Sequence, residues 1–297
     1  MIAGVVSFAV YFAGFVISAG LCLKKRHHAP LYRCTLGQTV SHETILIQAG
    51  LADKLRKSRW PARLDLLQSA TGLFLALFMW LHMFFVASIL VSESAMWTIA
   101  RFFEGYFFFG KAYSGLVSCV VGFVALAFVA HALLALRKFP TSYQQWRTVR
   151  AHAKQMRHED STLWIWQVYT GFLLFFLASA HLYQMFFWPE KIGPYLSSDR
   201  VWSGGLWPFY IVMLLTVELH GGIGLYRLVV KWGWPNAPRE ALKKVKWALT
   251  GFFLLLGLAT LVAYMKIGYE HRAHVGEPYT PDWVMEKEAN AHRGDGQ

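Results

Sequence analysis

Four histidines lie inside long apolar segments of this 297-residue sequence: His82, His131, His181 and His220. The other eight histidines lie in polar connections or tails, and Glu218, two positions before His220, is the only acid at a comparable depth. Ionisable side chains at membrane depth are costly and usually functional, and neutral imidazole is a frequent metal ligand. The sequence therefore predicts metal-ligand chemistry, accompanied by proton transfer, inside a membrane.

The elements that position these side chains are long apolar stretches. Hydrophobic residues make up 56% of the chain and charged residues 15%, which is too apolar for an ordinary soluble domain. About 20 apolar residues suffice to cross a bilayer as a helix. Six stretches reach that length, at residues 2–23, 66–91, 113–136, 163–188, 206–230 and 247–267.

The stretch at residues 2–23 lacks the charged start and the clear cleavage site of a signal peptide. The basic run "KKRHH" follows it directly, so we expect an extra transmembrane helix that ends in the cytoplasm. Residues 24–56 are then a cytoplasmic linker, residues 57–267 the main transmembrane domain, and residues 268–297 a polar, loosely ordered C-terminal tail.

The net charge of +12 is concentrated between the apolar stretches, which indicates membrane topology and not nucleic-acid binding. Three regions hold five or six Lys and Arg each: residues 54–65 just before the stretch 66–91, the connection between 113–136 and 163–188, and the connection between 206–230 and 247–267. The two remaining connections among the last five stretches hold two each. The positive-inside rule places the basic connections in the cytoplasm and the C-terminus on the outer side.

Two of the stretches share the pattern Q-x2-T-G-x9-H. "QSATGLFLALFMWLH" ends at His82, and "QVYTGFLLFFLASAH" ends at His181. The stretches that follow them echo each other more weakly, with an arginine six residues after His131 and seven after His220. The repeat predicts two helical hairpins related by an axis along the membrane normal.

Depths within the spans group the histidines into two pairs. At about 1.5 Å per residue, His82 and His181 lie roughly 14 and 11 Å from the outer ends of their spans. His131 and His220 lie roughly 8 and 15 Å from the inner ends, so the two levels are roughly 12 Å apart. Such pairs suit two haems, each with two axial imidazoles, in the core of a four-helix bundle.

The chain has three cysteines but no C-x-x-C-H, so these haems are expected to be non-covalent, b-type groups. Gly72, Gly171, Gly221 and Gly222 are interpreted as leaving room for the porphyrin. The fold class is an all-α membrane protein, a five-helix transmembrane bundle with a four-helix dihaem core. Two other interpretations stay open: buried histidines that only bond to neighbouring helices, and a metal transporter.

At these residues the chain resembles the dihaem cytochrome b membrane-anchor subunits of the succinate:quinone oxidoreductase family, and most of all those of menaquinol:fumarate reductases. The resemblance covers roughly residues 57–266. It is carried by the segments "KSRWPARLDLLQSATGLFL", "HMFFVASIL", "AHALLALRKFP", "MRHEDSTLWIWQ", "HLYQMFFWPEKIGP" and "VELHGGIGLYRLVVKWGW".

The resemblance implies a role for each candidate residue. His82 and His181 match the axial ligands of the haem far from the soluble subunits, and His131 and His220 those of the near haem. Glu104 matches the quinol proton acceptor, and Glu218 matches an acid of transmembrane proton transfer. Four residues match contacts of haem propionates: Gln68, Ser69, Trp164 and Lys231.

By this resemblance the chain is the anchor of a fumarate reductase in the bacterial inner membrane. It oxidises menaquinol near the outer face and passes electrons through two haem b groups to an iron–sulfur subunit, a flavoprotein (FAD) subunit and fumarate. This chain itself has no fumarate site. Alternatives are the same fold as a succinate dehydrogenase anchor that reduces quinone, or a non-redox transporter or scaffold. Plainer roles for Glu104 and Glu218 are an idle interfacial carboxylate and an acid bonded to a haem-pocket group.

Overall fold

A computed structural model of the chain describes residues 58–140, 142–156, 159–233, 237–286 and 290. The predicted N-terminal helix at residues 2–23 and the linker at 24–56 lie outside these ranges, so both stay predictions. Within the described part, the chain forms helices joined by turns, without strand. The prediction of an all-α fold is therefore confirmed.

Nine α-helices follow one another along the described chain. They are α1 Trp60–Ala87, α2 Glu93–Phe103, α3 Tyr106–Phe109, α4 Ser114–Leu136, α5 Tyr143–Met156, α6 Glu159–Phe187, α7 Pro194–Val201, α8 Trp207–Trp232 and α9 Arg239–Glu270. Three 3₁₀ turns, Ser88–Leu90, Pro189–Lys191 and His271–Ala273, extend α1, precede α7 and extend α9. Five of the described helices are long and apolar enough to cross a membrane, namely α1, α4, α6, α8 and α9, as predicted for this part of the chain.

Two of the long helices, α1 and α9, begin earlier than predicted, because polar and charged residues extend the helix beyond its apolar stretch. α1 begins six residues before the predicted stretch and α9 eight residues before it. In α1 a proline occupies the first turn, where its missing N–H removes no helical bond. In α9 the charged first turn is held by an ion pair between Lys243 and Glu240, 3.0 Å apart. Gly233 caps the C-terminal end of α8, and its φ of 64° is a left-handed conformation that costs glycine little.

Four of the long helices close into a ring, in which α1 packs on α4, α4 on α6, α6 on α8, and α8 on α1. The repeat is visible in this packing, since α1 with α4 and α6 with α8 form equivalent hairpins. α9 lies outside the ring against α8, α1 and α7. Gly222 allows α8 to approach α9, because a Cβ there would collide with the hydroxyl of Thr250.

The two ends of the bundle are different. The basic end, defined by Arg137, Lys138 and Lys231, gathers the C-terminal ends of α4 and α8 and the start of α1. The opposite end carries the short helices α2, α3 and α7 and the C-terminal segment. We call it the α2–α7 end.

The described part of the C-terminal segment, residues 268–286, packs against the bundle, which differs from the loosely ordered tail expected from its polarity. Asp199 on α7 accepts hydrogen bonds from Nδ1 of His271 at 3.0 Å and from the main-chain N–H of Gly276 at 2.8 Å. Trp283 packs edge-to-face on Trp97 of α2, with ring centres 5.6 Å apart. The polar composition was misleading because a few aromatic side chains are enough to fix the segment to the bundle.

Candidate functional site

The ring of four helices encloses a cavity of about 850 Å³ that runs from one end of the bundle to the other. Its lining is predominantly apolar, and it is lined by all four predicted histidines: His82, His131, His181 and His220. A largely apolar cavity with a few convergent polar groups is the usual form of a cofactor site. The histidines are therefore brought together around one space, not scattered among helix contacts.

His82 of α1 and His181 of α6 face each other across the cavity near the α2–α7 end. Their ring centres are 6.2 Å apart, and the rings are inclined by 55°. Metal–imidazole bonds are about 2 Å long and the ring centre lies about 1 Å beyond the nitrogen, so two imidazoles on one metal have centres about 6 Å apart. The spacing of this pair fits one metal between two axial imidazoles.

His131 of α4 and His220 of α8 are held differently. Nδ1 of His131 lies 3.3 Å from the main-chain oxygen of Gln68 and 3.3 Å from the hydroxyl of Thr71, both on α1. Nδ1 of His220 lies 3.0 Å from the main-chain oxygen of Gln167 on α6. The hydroxyl of Thr170, also on α6, lies 3.3 Å from Nδ1 of His220.

These bonds determine the tautomer of both rings. A carbonyl oxygen only accepts, so Nδ1 must donate its hydrogen to Gln68 and Gln167 respectively. The Thr71 hydroxyl donates to the main-chain oxygen of Leu67 at 2.9 Å, which leaves it to accept from the histidine. A neutral ring that donates from Nδ1 presents a lone pair on Nε2. Metal-binding histidines are usually oriented by such a bond from their other nitrogen.

The glycines of the repeat make room for these rings. A Cβ on Gly72 would lie 2.8 Å from Cε1 of His131, and one on Gly171 would lie 2.9 Å from Cε1 of His220. Gly72 and Gly171 were expected to leave room for a porphyrin. Their direct effect in the structure is to leave room for the imidazole rings of His131 and His220. Gly221 does line the cavity, whereas Gly222 faces Thr250 of α9, so the interpretation of Gly222 was wrong.

The repeat also gives the separation of the two levels. Gly72 contacts His131 and stands ten residues before His82, and Gly171 contacts His220 and stands ten residues before His181. Ten residues of helix span about 15 Å. The two levels are thus equally spaced in both hairpins, somewhat farther apart than the roughly 12 Å expected from span ends.

At the basic end, the cavity is lined by the four residues expected to contact carboxylates of the cofactor: Gln68, Ser69, Trp164 and Lys231. The Lys231 ammonium pairs with the Asp65 carboxylate and lies 3.3 Å from the Ser69 hydroxyl. The side-chain oxygen of Gln68 is buried and has no hydrogen-bond partner in the described part of the chain. The basic end therefore presents to the cavity the Lys231 ammonium and a Gln68 side-chain oxygen that has no hydrogen-bond partner among the described residues.

At the α2–α7 end, Arg200 of α7 lines the cavity and was missed as a site residue. Its guanidinium donates to the main-chain oxygen of Lys191 at 3.2 Å and to the Ser197 hydroxyl at 3.0 Å, while its buried Nε has no partner among the described residues. In the sequence Arg200 counted only as one of two basic residues of a connection. Nothing in the sequence pattern indicated that α7 would place the Arg200 side chain in the cavity wall.

Glu104 caps α2 at its C-terminal end and lies outside the cavity lining. It is 3% exposed and forms an ion pair with Arg101 one turn earlier, while the Arg101 guanidinium lies over the Trp97 ring. Burial raises the pKa of Glu104, and the positive charge and hydrogen bond of Arg101 counteract part of that rise. The group is a buried carboxylate with one fixed cation at the α2–α7 end of the bundle.

Glu218 lies outside the cavity lining, although it stands two residues from His220. It is 1% exposed, does not line the cavity, and neither of its carboxyl oxygens has a hydrogen-bond partner among the described residues. The indole N–H of Trp80 lies close by without completing a hydrogen bond. The alternative in which Glu218 bonds to a group lining the cofactor cavity therefore finds no support in the described contacts.

The residues present fit haem. Three buried polar atoms on the cavity wall lack partners in the described ranges: Oε1 of Gln68, Nδ1 of His181 and Nε of Arg200. No group of three or more His, Cys, Asp or Glu side chains converges as a metal site among the described residues. Paired imidazoles supply two axial donors and leave the equatorial positions to a macrocycle. This donor set suits a tetrapyrrole-bound iron.

Comparison with known proteins gives consistent results. Residues 144–268 match the family model described as succinate dehydrogenase/fumarate reductase transmembrane subunit. The chain is 51% identical over 224 residues to the fumarate reductase cytochrome b subunit of Helicobacter pylori, covering 75% of this chain and 88% of that protein. It is 48% identical over 237 residues to the fumarate reductase cytochrome b subunit of Wolinella succinogenes, covering 78% of this chain and 93% of that protein.

Proposed function

The chain belongs to the fumarate reductase cytochrome b subunits of the succinate dehydrogenase/fumarate reductase transmembrane family, and from this premise we propose that it oxidises menaquinol through two haem b groups. As a cytochrome b anchor it is a multi-pass membrane protein, binds haem b, and assembles with the catalytic subunits of its complex. The number of haems, the quinol and the roles of individual residues are our proposal.

The observation that carries the proposal is the repeated construction of the cavity. One histidine pair lies at each of two levels, and the two hairpins contribute one histidine to each level. His82 and His181 would hold one haem, and His131 and His220 the other. Lys231, Ser69, Gln68 and Trp164 would meet carboxylates at the basic end. Bound haem b supplies reversible one-electron transfer, and the chain supplies ligation, orientation and a water-poor environment.

Glu104 is proposed to accept a proton from menaquinol near the α2–α7 end. It serves as a base only when ionised, and burial raises its pKa towards the range in which a carboxylate accepts a proton effectively. Quinol oxidation should therefore decline as the pH falls through this raised pKa. Arg101 keeps the carboxylate in one orientation and limits the rise.

Glu218 is proposed to carry a proton across the membrane. A charge crossing a potential of 100 mV changes its free energy by about 2.3 kcal/mol, and a proton that accompanies each electron cancels this amount. Glu218 is buried, has no fixed hydrogen-bond partner among the described residues, and stands on the helix that also carries His220. A carboxyl group in this situation can take up and release a proton without breaking an ion pair.

The partners are proposed to be an iron–sulfur subunit and a flavoprotein (FAD) subunit that reduces fumarate. They would dock at the basic end, which the distribution of Lys and Arg assigns to the cytoplasm. Menaquinol would then be oxidised near the outer face of the bacterial inner membrane, and the C-terminal segment would also lie on that side.

The test is a reduced-minus-oxidised spectrum and a redox titration of the purified complex, combined with two acid variants. We expect two b-type components with separate midpoints. Glu104→Gln should keep both components and abolish menaquinol oxidation. Glu218→Gln should also keep both, while it lowers quinol-linked fumarate reduction. A single haem component would contradict the two-haem proposal, and full quinol-linked activity of either variant would contradict the role of that acid.

A further inference from the structure

We propose that Asp65 sets the redox potential of the haem held by His131 and His220, by fixing the net charge at the basic end of the cavity. This inference rests on the proposed two-haem function and assigns a positioning role to a residue that neither the repeat nor the histidine pairs involve. Asp65 itself does not line the cavity.

The contacts of Asp65 join three helices. Its Oδ1 pairs with the Lys138 ammonium and its Oδ2 with the Lys231 ammonium, while the Arg137 guanidinium lies 4.0 Å from Oδ1. Asp65 belongs to α1, Arg137 and Lys138 directly follow α4, and Lys231 stands in the last turn of α8. One carboxylate therefore fixes the cations of two neighbouring helix ends.

Both lysines that Asp65 holds are part of the cavity wall. Lys138 and Lys231 line the cavity, and the Lys231 ammonium also lies 3.3 Å from the hydroxyl of Ser69. That hydroxyl donates to the main-chain oxygen of Asp65 at 3.0 Å. Asp65 and Ser69 thus form a short acceptor surface on α1 that keeps the ammonium groups at the mouth of the cavity.

The local charge of this cluster matches the cofactor. The three cations that contact Asp65 and the Asp65 carboxylate give this cluster a net charge of +2, from +3 for Arg137, Lys138 and Lys231 and −1 for Asp65. Arg227 also lines the cavity, but it donates to the main-chain oxygen of Asp160 and does not belong to the cluster. A haem b carries two propionate groups, so the cluster neutralises them when both are ionised. Loss of the Asp65 charge would leave an excess of one positive charge beside the haem.

The sign of the effect follows from the charge of the two redox states. Oxidised haem iron carries one more positive charge than reduced iron, so a nearby anion stabilises the oxidised state and lowers the midpoint potential. Asp65 stands seven residues from Gly72, about 10 Å along α1, but seventeen from His82, about 26 Å. Its influence should therefore be confined to the nearer haem.

The experiment is a redox titration of the whole complex with Asp65→Asn, following the two haem components separately. We expect the reduced-to-oxidised ratio of one component at a fixed potential to rise about tenfold, which is about 59 mV for a one-electron couple. The other component should stay at its wild-type midpoint. Asp65→Glu keeps the charge and should restore the wild-type potential.

Glu240→Gln is the matched control. It removes one acid from the same end of the bundle, but Glu240 is an exposed residue that pairs with Lys243 on α9. It should shift neither component. Lys138→Gln provides a second variant of opposite sign, and it should lower the midpoint of the same component that Asp65→Asn raises.

Three outcomes would overturn the inference. They are an unchanged potential in Asp65→Asn, an equal shift of both components, or a shift of the same sign in Lys138→Gln. If Asp65→Asn fails to assemble, the sign of the Lys138→Gln shift decides alone. A wild-type complex with one haem component would instead contradict the proposed function, so the two failures are distinguishable.

Discussion

The two histidine pairs hold the same type of side chain in two different ways. His131 and His220 each donate from Nδ1 to a main-chain oxygen of the neighbouring helix, which fixes both the tautomer and the orientation of the ring. The ring contacts of His82 and His181 are aromatic instead. Phe78 stacks on His82 with the rings inclined by 5°, and Tyr210 meets His181 edge-on with ring centres 6.0 Å apart.

The difference arises from where the repeat places its small and polar residues. A helix carbonyl is normally occupied by its own helical bond and shielded by side chains. Gly72 and Gly171 carry no side chain that would shield the carbonyl at one level. The imidazole can therefore reach the second lone pair of the main-chain oxygen of Gln68 or Gln167. At the other level the helices carry aromatic side chains instead, and Nδ1 of His181 has no partner in the described part of the chain. Hydrogen bonding positions one pair, and packing positions the other.

The largest expected effect comes from removing one ligand. His220→Ala should eliminate one haem component, and His181→Ala should eliminate the other, because in the proposed arrangement each histidine pair would hold its own haem. Haem per complex and the redox titration measure this directly. Loss of the same component in both variants would show that the four histidines do not form two independent sites.

Next in size is the removal of the space for the imidazole. Gly171→Ala places a Cβ 2.9 Å from Cε1 of His220, and relieving such overpacking costs about 1–3 kcal/mol. We expect a shifted or depleted component at the His131/His220 level and an unchanged one at the other level. Gly251→Ala is the control, since no described atom lies within 4 Å of the added Cβ. Equal disturbance of both components would contradict the assignment.

A third prediction concerns the α2–α7 end alone. Arg101→Gln removes the charge that counteracts the burial of Glu104, so the pKa of Glu104 should rise further. Because the ionised form is the base, the acid side of the pH profile of menaquinol oxidation should move to higher pH. Both haem midpoints should remain at wild-type values. A pH profile that stays in place would show that Glu104 does not limit the reaction.

The smallest effect should follow from the loss of one of the two hydrogen-bond acceptors that surround Nδ1 of His220. Thr170→Val removes the hydroxyl that lies 3.3 Å from Nδ1 of His220 but leaves the Gln167 carbonyl. A hydrogen bond of this kind contributes about 0.5–1.5 kcal/mol, so the midpoint of that component should shift slightly. Thr216→Val removes a buried hydroxyl of α8 that only bonds to its own helix, and it should leave both midpoints unchanged.

Much of the architecture followed from local pattern. The five long helices could be predicted because an apolar stretch of about 20 residues has few other stable structures in a bilayer. Their ends could not, since Arg239 and its neighbours continue α9 through charged turns that resemble a loop. The short helices were not predicted either. One of them, α7, carries Arg200, which lines the cavity, so this site residue was missed together with its helix. The packed C-terminal segment was missed because Trp283 finds its partner, Trp97, almost the whole domain away.

The sequence by itself determined the four histidines, their repeat and their two levels, because helical rise converts spacing into depth. Only the tertiary structure decided what each ring touches. It joined His131 to Gln68, 63 residues away, and left Glu218 outside the cavity lining although its neighbour His220 lines the cavity. The reason is physical: residues two apart on a helix face different sides, and which side meets a cavity or a helix depends on packing between distant segments.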